Sequence, residues 1–416
     1  MYRTTAHVGH FLSRFERNVK LYMACAALIG FSAFGIYSVL FNLYLLRMDY
    51  DVGLIGHFNA AGLLSFGLFS PIAGNWARRA GYRRTLVGGM SLMVMGYLLM
   101  SLAGFFFGPL RTGWITAVQM IINCGFATYM VNSSPFLMSA TAAENRSLVF
   151  ALRGAVWPLF GFAGSALGGT LPQTFAWLID RDGLVPYQCS LLVASLVLAP
   201  SLFLFGSTTG DGDQEQSDAT AEGEDETRPY TPLLMIGLIS LLAAPGVAVA
   251  RTFFNVYLNA ELGISPPSIG WTIGLAQLLS VPAALVMPYV LAKTDHVQVF
   301  TYTTLGIALA LLPMAFIPRW EAAGLGYISV IVLVAVRMPA FAVFHQELVA
   351  PRWRSTMSAV TTSTALIGFA ITSFGGGRLA LSMGYTQLFL LGVVVTCISI
   401  VPFRVLAAQR VRGASA

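Results

Sequence analysis

Apolar runs of about 20 residues recur along the whole chain, and each is long enough to cross a ~30 Å hydrocarbon core as a helix. Backbone amides in lipid must be satisfied within the segment, so such runs admit few folds other than a bundle of spanning helices. Composition agrees: 56% of the 416 residues are hydrophobic and 10% are charged, against roughly a quarter charged in soluble domains. Twelve spans can be read, at about 20–46, 53–77, 85–108, 112–139, 147–178 and 187–206, then 230–258, 268–291, 298–317, 322–348, 356–382 and 386–406. The expected class is an all-α, multi-pass membrane protein.

The net charge of +6 does not describe a nucleic-acid-binding surface, because the positive residues sit in short loops between spans. The stretch Gly74-Asn-Trp-Ala-Arg-Arg-Ala-Gly-Tyr-Arg-Arg84 places four arginines and a glycine turn between spans two and three. With the N-terminus, the central linker and the C-terminus set in the cytosol, five basic residues (Arg47, Arg111, Arg181, Arg319, Arg378) fall outside. Two more (Arg251, Arg337) lie within spans, and the other 17 of 24 are on or near the cytosolic side. That asymmetry predicts a plasma or inner membrane protein of this orientation. Tyr22, Trp114, Trp177, Tyr187 and Tyr230, near span ends, suit an interfacial belt. The N-terminal arginines precede no small-residue cleavage site and read as a cytosolic flank. Cys25, Cys124, Cys189 and Cys397 all fall in apolar runs, without the spacing of a metal site or disulfide framework.

The chain also repeats itself. FNLYLLRMDYDVGLIG (Phe41 to Gly56) is echoed by FNVYLNAELGISPPSIG (Phe254 to Gly270), and GFAGSALGG (Gly161 to Gly169) by GFAITSFGG (Gly368 to Gly376). Arg146-Ser147 and Arg354-Ser355 precede the second pair, and all offsets lie between 207 and 214. Two copies in one orientation imply a six-helix half at 1–206 and another at 230–416. Between them, residues 207–229 carry eight acidic side chains and almost nothing apolar, which predicts a flexible cytosolic linker. Parallel repeats about an axis along the membrane normal are a known transporter architecture.

These residues resemble the major facilitator superfamily over nearly the whole chain. Gly74, Arg79, Gly81, Arg83 and Arg84 match the family's loop 2–3 signature, whereas Arg78 stands where the family has aspartate. The resemblance implies twelve helices in two pseudo-symmetric halves and a gating role for Gly74, Arg78, Arg79, Gly81, Arg83 and Arg84. The loop Leu291-Ala-Lys-Thr-Asp295 is its weaker counterpart in the second half. Gly164-Ser-Ala-Leu-Gly168-Gly169 is similar to the family's antiporter glycine motif, with serine in place of proline; close helix packing accounts for the same glycines. The arginine that drug–proton antiporters of the family carry in span four is missing from Gln119-Met-Ile-Ile-Asn123.

Ionisable groups within the bilayer cost roughly 2.5–3.5 kcal/mol each on insertion scales and therefore ask for a function. Arg337, near the middle of span ten, is the clearest case; Arg251 in span seven lies closer to the outer end. No Asp or Glu falls at mid-membrane, while the planar guanidinium fork matches carboxylate and phosphate. Arg337, with Arg251, is thus expected to contact an anionic group of a substrate, unless each only bonds helix carbonyls or polar neighbours. By the repeat, Tyr129 is the span-four counterpart of Arg337; Tyr129, Asn132, Tyr37, Asn42, Asn59 and Gln277 complete the expected lining. Arg153 in span five reads as a snorkelling or packing residue.

No nucleotide loop, metal cluster or nucleophile motif is present. The expectation is a secondary transporter, not an enzyme, without cofactor or nucleic-acid partner, working as a monomer in the bilayer. It would move a small organic anion or polar metabolite by alternating access, with H+ or Na+ as coupling ion. The alternatives are efflux of amphipathic drugs, suggested by the aromatic- and methionine-rich spans, and a non-transporting sensor on the same fold. The short C-terminal tail and linker speak against the sensor.

Overall fold

The computed structural model describes residues 16–209, 229–291, 293–350 and 353–414. Most of the acidic segment read as a linker, with Ala292 and Arg352, lies outside the described residues. Among the described residues twelve helices are long and apolar enough to cross a membrane: α1 Arg17–Leu46, α2 Val52–Ala80, α3 Tyr82–Phe105, α4 Gly108–Ser139, α5 Leu148–Ile179, α6 Leu184–Gly206, α7 Tyr230–Glu261, α8 Pro266–Met287, α9 His296–Phe316, α10 Trp320–Gln346, α11 Arg354–Met383 and α12 Tyr385–Gln409. Each expected span is present with ends displaced by only a few residues, and there is no strand among the described residues. Internal prolines at 71, 135, 158, 172, 245, 313 and 339 are accommodated within the helices, as is common where neighbouring helices re-satisfy the freed carbonyls.

One feature of α1 departs from the 3.6-residue period. Gly30–Tyr37 is wound as a π-helix, and α7 ends in a shorter π segment, Tyr257–Glu261. A second departure concerns the arginine stretch, which is hardly a loop. Helix α2 runs to Ala80 and α3 starts at Tyr82, leaving Gly81 alone between them at φ +82°. That conformation favours glycine, which has no Cβ to crowd the carbonyl.

Close packing groups the chain into two units that differ from the division at the linker. The first comprises Met1–Phe41 and Leu68–Gln216; the second comprises Asn42–Gly67 and Ser217–Ala416. The end of α1 and the first half of α2 therefore pack with α7–α12.

Within the first unit, glycines let backbones touch. A methyl group added at Gly164 of α5 would collide with the Phe31 carbonyl of α1, and one at Gly168 would sit 2.9 Å from the Ile36 Cα. The glycine motif thus serves helix contact, as small residues do in membranes. Gly125 of α4 meets the Gly89 carbonyl of α3 in the same way, and the Trp76 ring of α2 covers Gly88. In the second unit an apolar core joins Ile236 and Ile239 of α7, Phe300 of α9, Phe344 of α10, Met357 of α11 and Phe403 of α12. The Phe300 and Phe403 rings lie 4.0 Å apart between centroids.

Candidate functional site

Arg337 is 8% exposed. Its Nη1 donates to Thr304 Oγ1 of α9 over a long 3.4 Å, and its guanidinium carbon lies 5.7 Å from the Phe300 ring centroid. A guanidinium has five N–H donors, so one distant hydroxyl and one ring leave most of that capacity unused. Among the described residues the one ion pair joins exposed Arg319 and Glu321, and no Asp or Glu is buried. Arg337 is a cation anchored to an aromatic core with no carboxylate beside it among the described residues.

The other residues expected to line a site are divided between the two units. In the first unit, the Tyr37 hydroxyl donates to Gln119 Oε1 at 2.6 Å, and its ring stacks on Phe41 and Tyr97. Tyr129 is fully buried, its hydroxyl 3.2 Å from that of Tyr22. Asn132 donates to the Ala73 carbonyl of α2 at 3.2 Å and to that of Thr128 at 2.8 Å. In the second unit Arg251 is exposed on α7 and Gln277 half-buried on α8.

Asn42 and Asn59 belong to a knot of amides. Asn42 Nδ2 donates to the Thr252 carbonyl at 2.8 Å and to Asn255 Oδ1 at 3.1 Å. Asn59 Nδ2 donates to Asn42 Oδ1 at 2.9 Å, and the Thr252 and Ser373 hydroxyls lie 3.1 Å apart. Four helices, α1, α2, α7 and α11, are tied at one point. Beside it α2 and α11 touch backbone to backbone: a Cβ on Gly56 would strike the Ser373 carbonyl, and one on Gly377 would lie 2.7 Å from the Val52 carbonyl. The repeat had already paired Asn42 with Asn255, but Thr252 and Ser373 carried no sequence signal beyond being polar in a span.

A third group surrounds Arg153, which the sequence presents as a snorkelling or packing residue. Arg153 Nη1 and Nη2 donate to Ser134 Oγ at 2.6 Å and Ser133 Oγ at 2.8 Å. The guanidinium lies 5.2 Å from the Trp157 ring and 6.0 Å from the Tyr22 ring. Helical spacing put Arg153 and Trp157 on one face of α5, a signal that went unused.

At the end of the first unit, Arg78 bonds Asn75 Oδ1 and Arg83 bonds the Gly206 carbonyl. Arg83 and Arg84, with Val87, Gly88 and Gly206, line a cavity of about 560 Å³. Gly74 lies against Val131 of α4, and Arg79 rides the last turn of α2. Among the described residues no group of three or more His, Cys, Asp or Glu is placed to hold a metal.

The model of the family described as "Major Facilitator Superfamily" matches residues 22–373. The chain belongs to the major facilitator superfamily. It is accordingly a multi-pass membrane protein of a transporter family, not of an enzyme family. Two Bacillus subtilis (strain 168) relatives illustrate the kinship. The chain is 21% identical to the uncharacterized MFS-type transporter YxaM over 399 residues, 93% of this chain and 95% of that one. It is 20% identical to Multidrug resistance protein 2 over 273 residues, 64% of each. Another curated match spans only about half of the relative's length, 54%. Among solved structures, the nucleoside transporter NupG (D323A mutant) superposes with a TM-score of 0.73 at 13% identity, over 93% of this chain and 99% of that one. This superfamily member thus shares the NupG fold.

Proposed function

We propose that the chain is a secondary transporter that moves a small organic anion by alternating access of its two repeat-related halves. The observation that carries this reading is Arg337, a buried cation that no carboxylate among the described residues pairs with. A buried charge of this kind is expensive unless something of opposite sign visits it, and arginine's fork suits carboxylate or phosphate. The orientation follows the positive-inside count, with both termini and the acidic segment cytosolic and the arginine-rich turn at Gly81 on the same side. The bilayer is a plasma or inner membrane. A monomer suffices, and an H+ or Na+ gradient drives the cycle.

The test is uptake into proteoliposomes over a panel of organic anions, nucleosides, sugars and cationic dyes, with and without a pH gradient. Anion uptake that falls at least tenfold in a folded Arg337→Gln variant supports the reading; cationic dyes moving while anions do not would sink it. Drug efflux is the second reading, favoured by the likeness to Multidrug resistance protein 2, and the dye arm of the panel detects it.

A further inference from the structure

We propose that Arg153 and Trp157, within the first unit, form a binding site for a carboxylate carried on a flat, unsaturated body. Arg153 uses one N–H of each Nη on the two serines of α4; its remaining three N–H groups have no acceptor among the described residues. The Trp157 indole N–H, one helical turn along α5, is buried and also lacks a partner among them. Four donors of one neighbourhood thus stand without acceptors among the described residues, and for the buried indole N–H the unmet hydrogen bond is costly. A carboxylate brings acceptors only, and two oxygens that match the guanidinium fork.

The surroundings select what the carboxylate is attached to. Trp157 stacks on Phe34 at 5.3 Å between centroids, and Phe34 meets Phe126 edge-on at 5.7 Å. These three rings and Arg153 are half-buried, whereas Tyr22 and Tyr129 behind them are buried. A ligand therefore meets an aromatic wall with a cation at one end, and a planar body gains offset stacking there. The serines hold Arg153 in place, so little side-chain freedom is lost on binding. No observation behind this site involves Arg337, so it stands or falls apart from the reading of Arg337.

Benzoate is the probe, and 5-fluorotryptophan the reporter. The full chain, labelled at its seven tryptophans, is placed in phosphatidylcholine nanodiscs and followed by fluorine NMR, with Trp157→Phe assigning the Trp157 resonance. Benzoate should move that resonance saturably, and benzylamine, of the same shape but opposite charge, should not. Arg153→Gln should raise the apparent Kd at least tenfold, and Arg153→Lys should recover part of it, since an ammonium lacks the fork. Should Arg153→Gln fail to fold, Ser133→Ala with Ser134→Ala frees the guanidinium and should weaken binding severalfold. Equal response to benzylamine, a non-saturating shift, or an unaltered curve in Arg153→Gln overturns the site. A response to phosphatidylglycerol in the nanodisc with none to benzoate also overturns it, and makes it a lipid headgroup site.

Discussion

Asn42 and Asn255 occupy the same place in the two repeats, FNLYL and FNVYL, and the amide nitrogen of the first lies 3.1 Å from the amide oxygen of the second. Equivalent positions of a duplicated sequence thus meet as donor and acceptor. Asn42→Ala should leave Asn59 Nδ2 and the Thr252 carbonyl short of a partner, and destabilise the protein by about 1–2 kcal/mol, near the upper end for polar contacts between membrane helices. A double-mutant cycle with Asn255→Ala, read by thermal unfolding in detergent, should show a coupling energy; strict additivity would mean that the two amides do not act together.

Gly56 and Gly377 make α2 and α11 inseparable as they stand. A side chain at Gly56 must push the Ser373 carbonyl away, so Gly56→Val should part this seam. In a background with the native cysteines replaced, His57→Cys should then label faster with an impermeant maleimide than it does beside glycine. Unchanged labelling with unchanged stability would show that the helices yield without separating.

Phe300 should matter more to Arg337 than Thr304 does. The hydroxyl bond is long, at 3.4 Å, while the ring offers a desolvated cation–π contact of roughly 1–2 kcal/mol. Phe300→Leu should lower anion uptake and stability more than Thr304→Val; the reverse ranking would place the anchor at the hydroxyl.

At Gly81 the backbone is left-handed, at φ +82°. Gly81→Ala should cost about 1–2 kcal/mol, and Gly81→Val more. Thermal unfolding gives the ranking; an indifferent Gly81→Val would mean that the turn between α2 and α3 relaxes freely.

Much of the fold was legible in the sequence because the bilayer imposes one rule, a run of apolar residues per crossing, and hydropathy reads it directly. The repeat supplied Asn42 and Asn255 as equivalents. Partner choice was not legible. Tyr37, Tyr129 and Asn132 are polar residues within spans, and nothing in their spacing says whether they face a solute or a neighbouring helix; Gln119, Tyr22 and the Ala73 carbonyl hold them. Arg153 reads in sequence as a snorkelling or packing residue because its serines lie on another helix, beyond the reach of periodicity. The units differ from the halves for a similar reason: the forces that attach residues 42–67 to α7 and α11 are contacts between distant segments.

The wide winding of Gly30–Tyr37 sets a phase shift along α1. Each residue inserted by π geometry rotates everything after it by about 100° relative to an unbroken α-helix. A cysteine-accessibility trace along α1 should therefore keep one rhythm up to Ile29 and resume from Ser38 out of step with it. A helical wheel drawn through the whole span would assign Asn42 and its neighbours to the wrong side. Variants chosen on α1 need two wheels, one for each end.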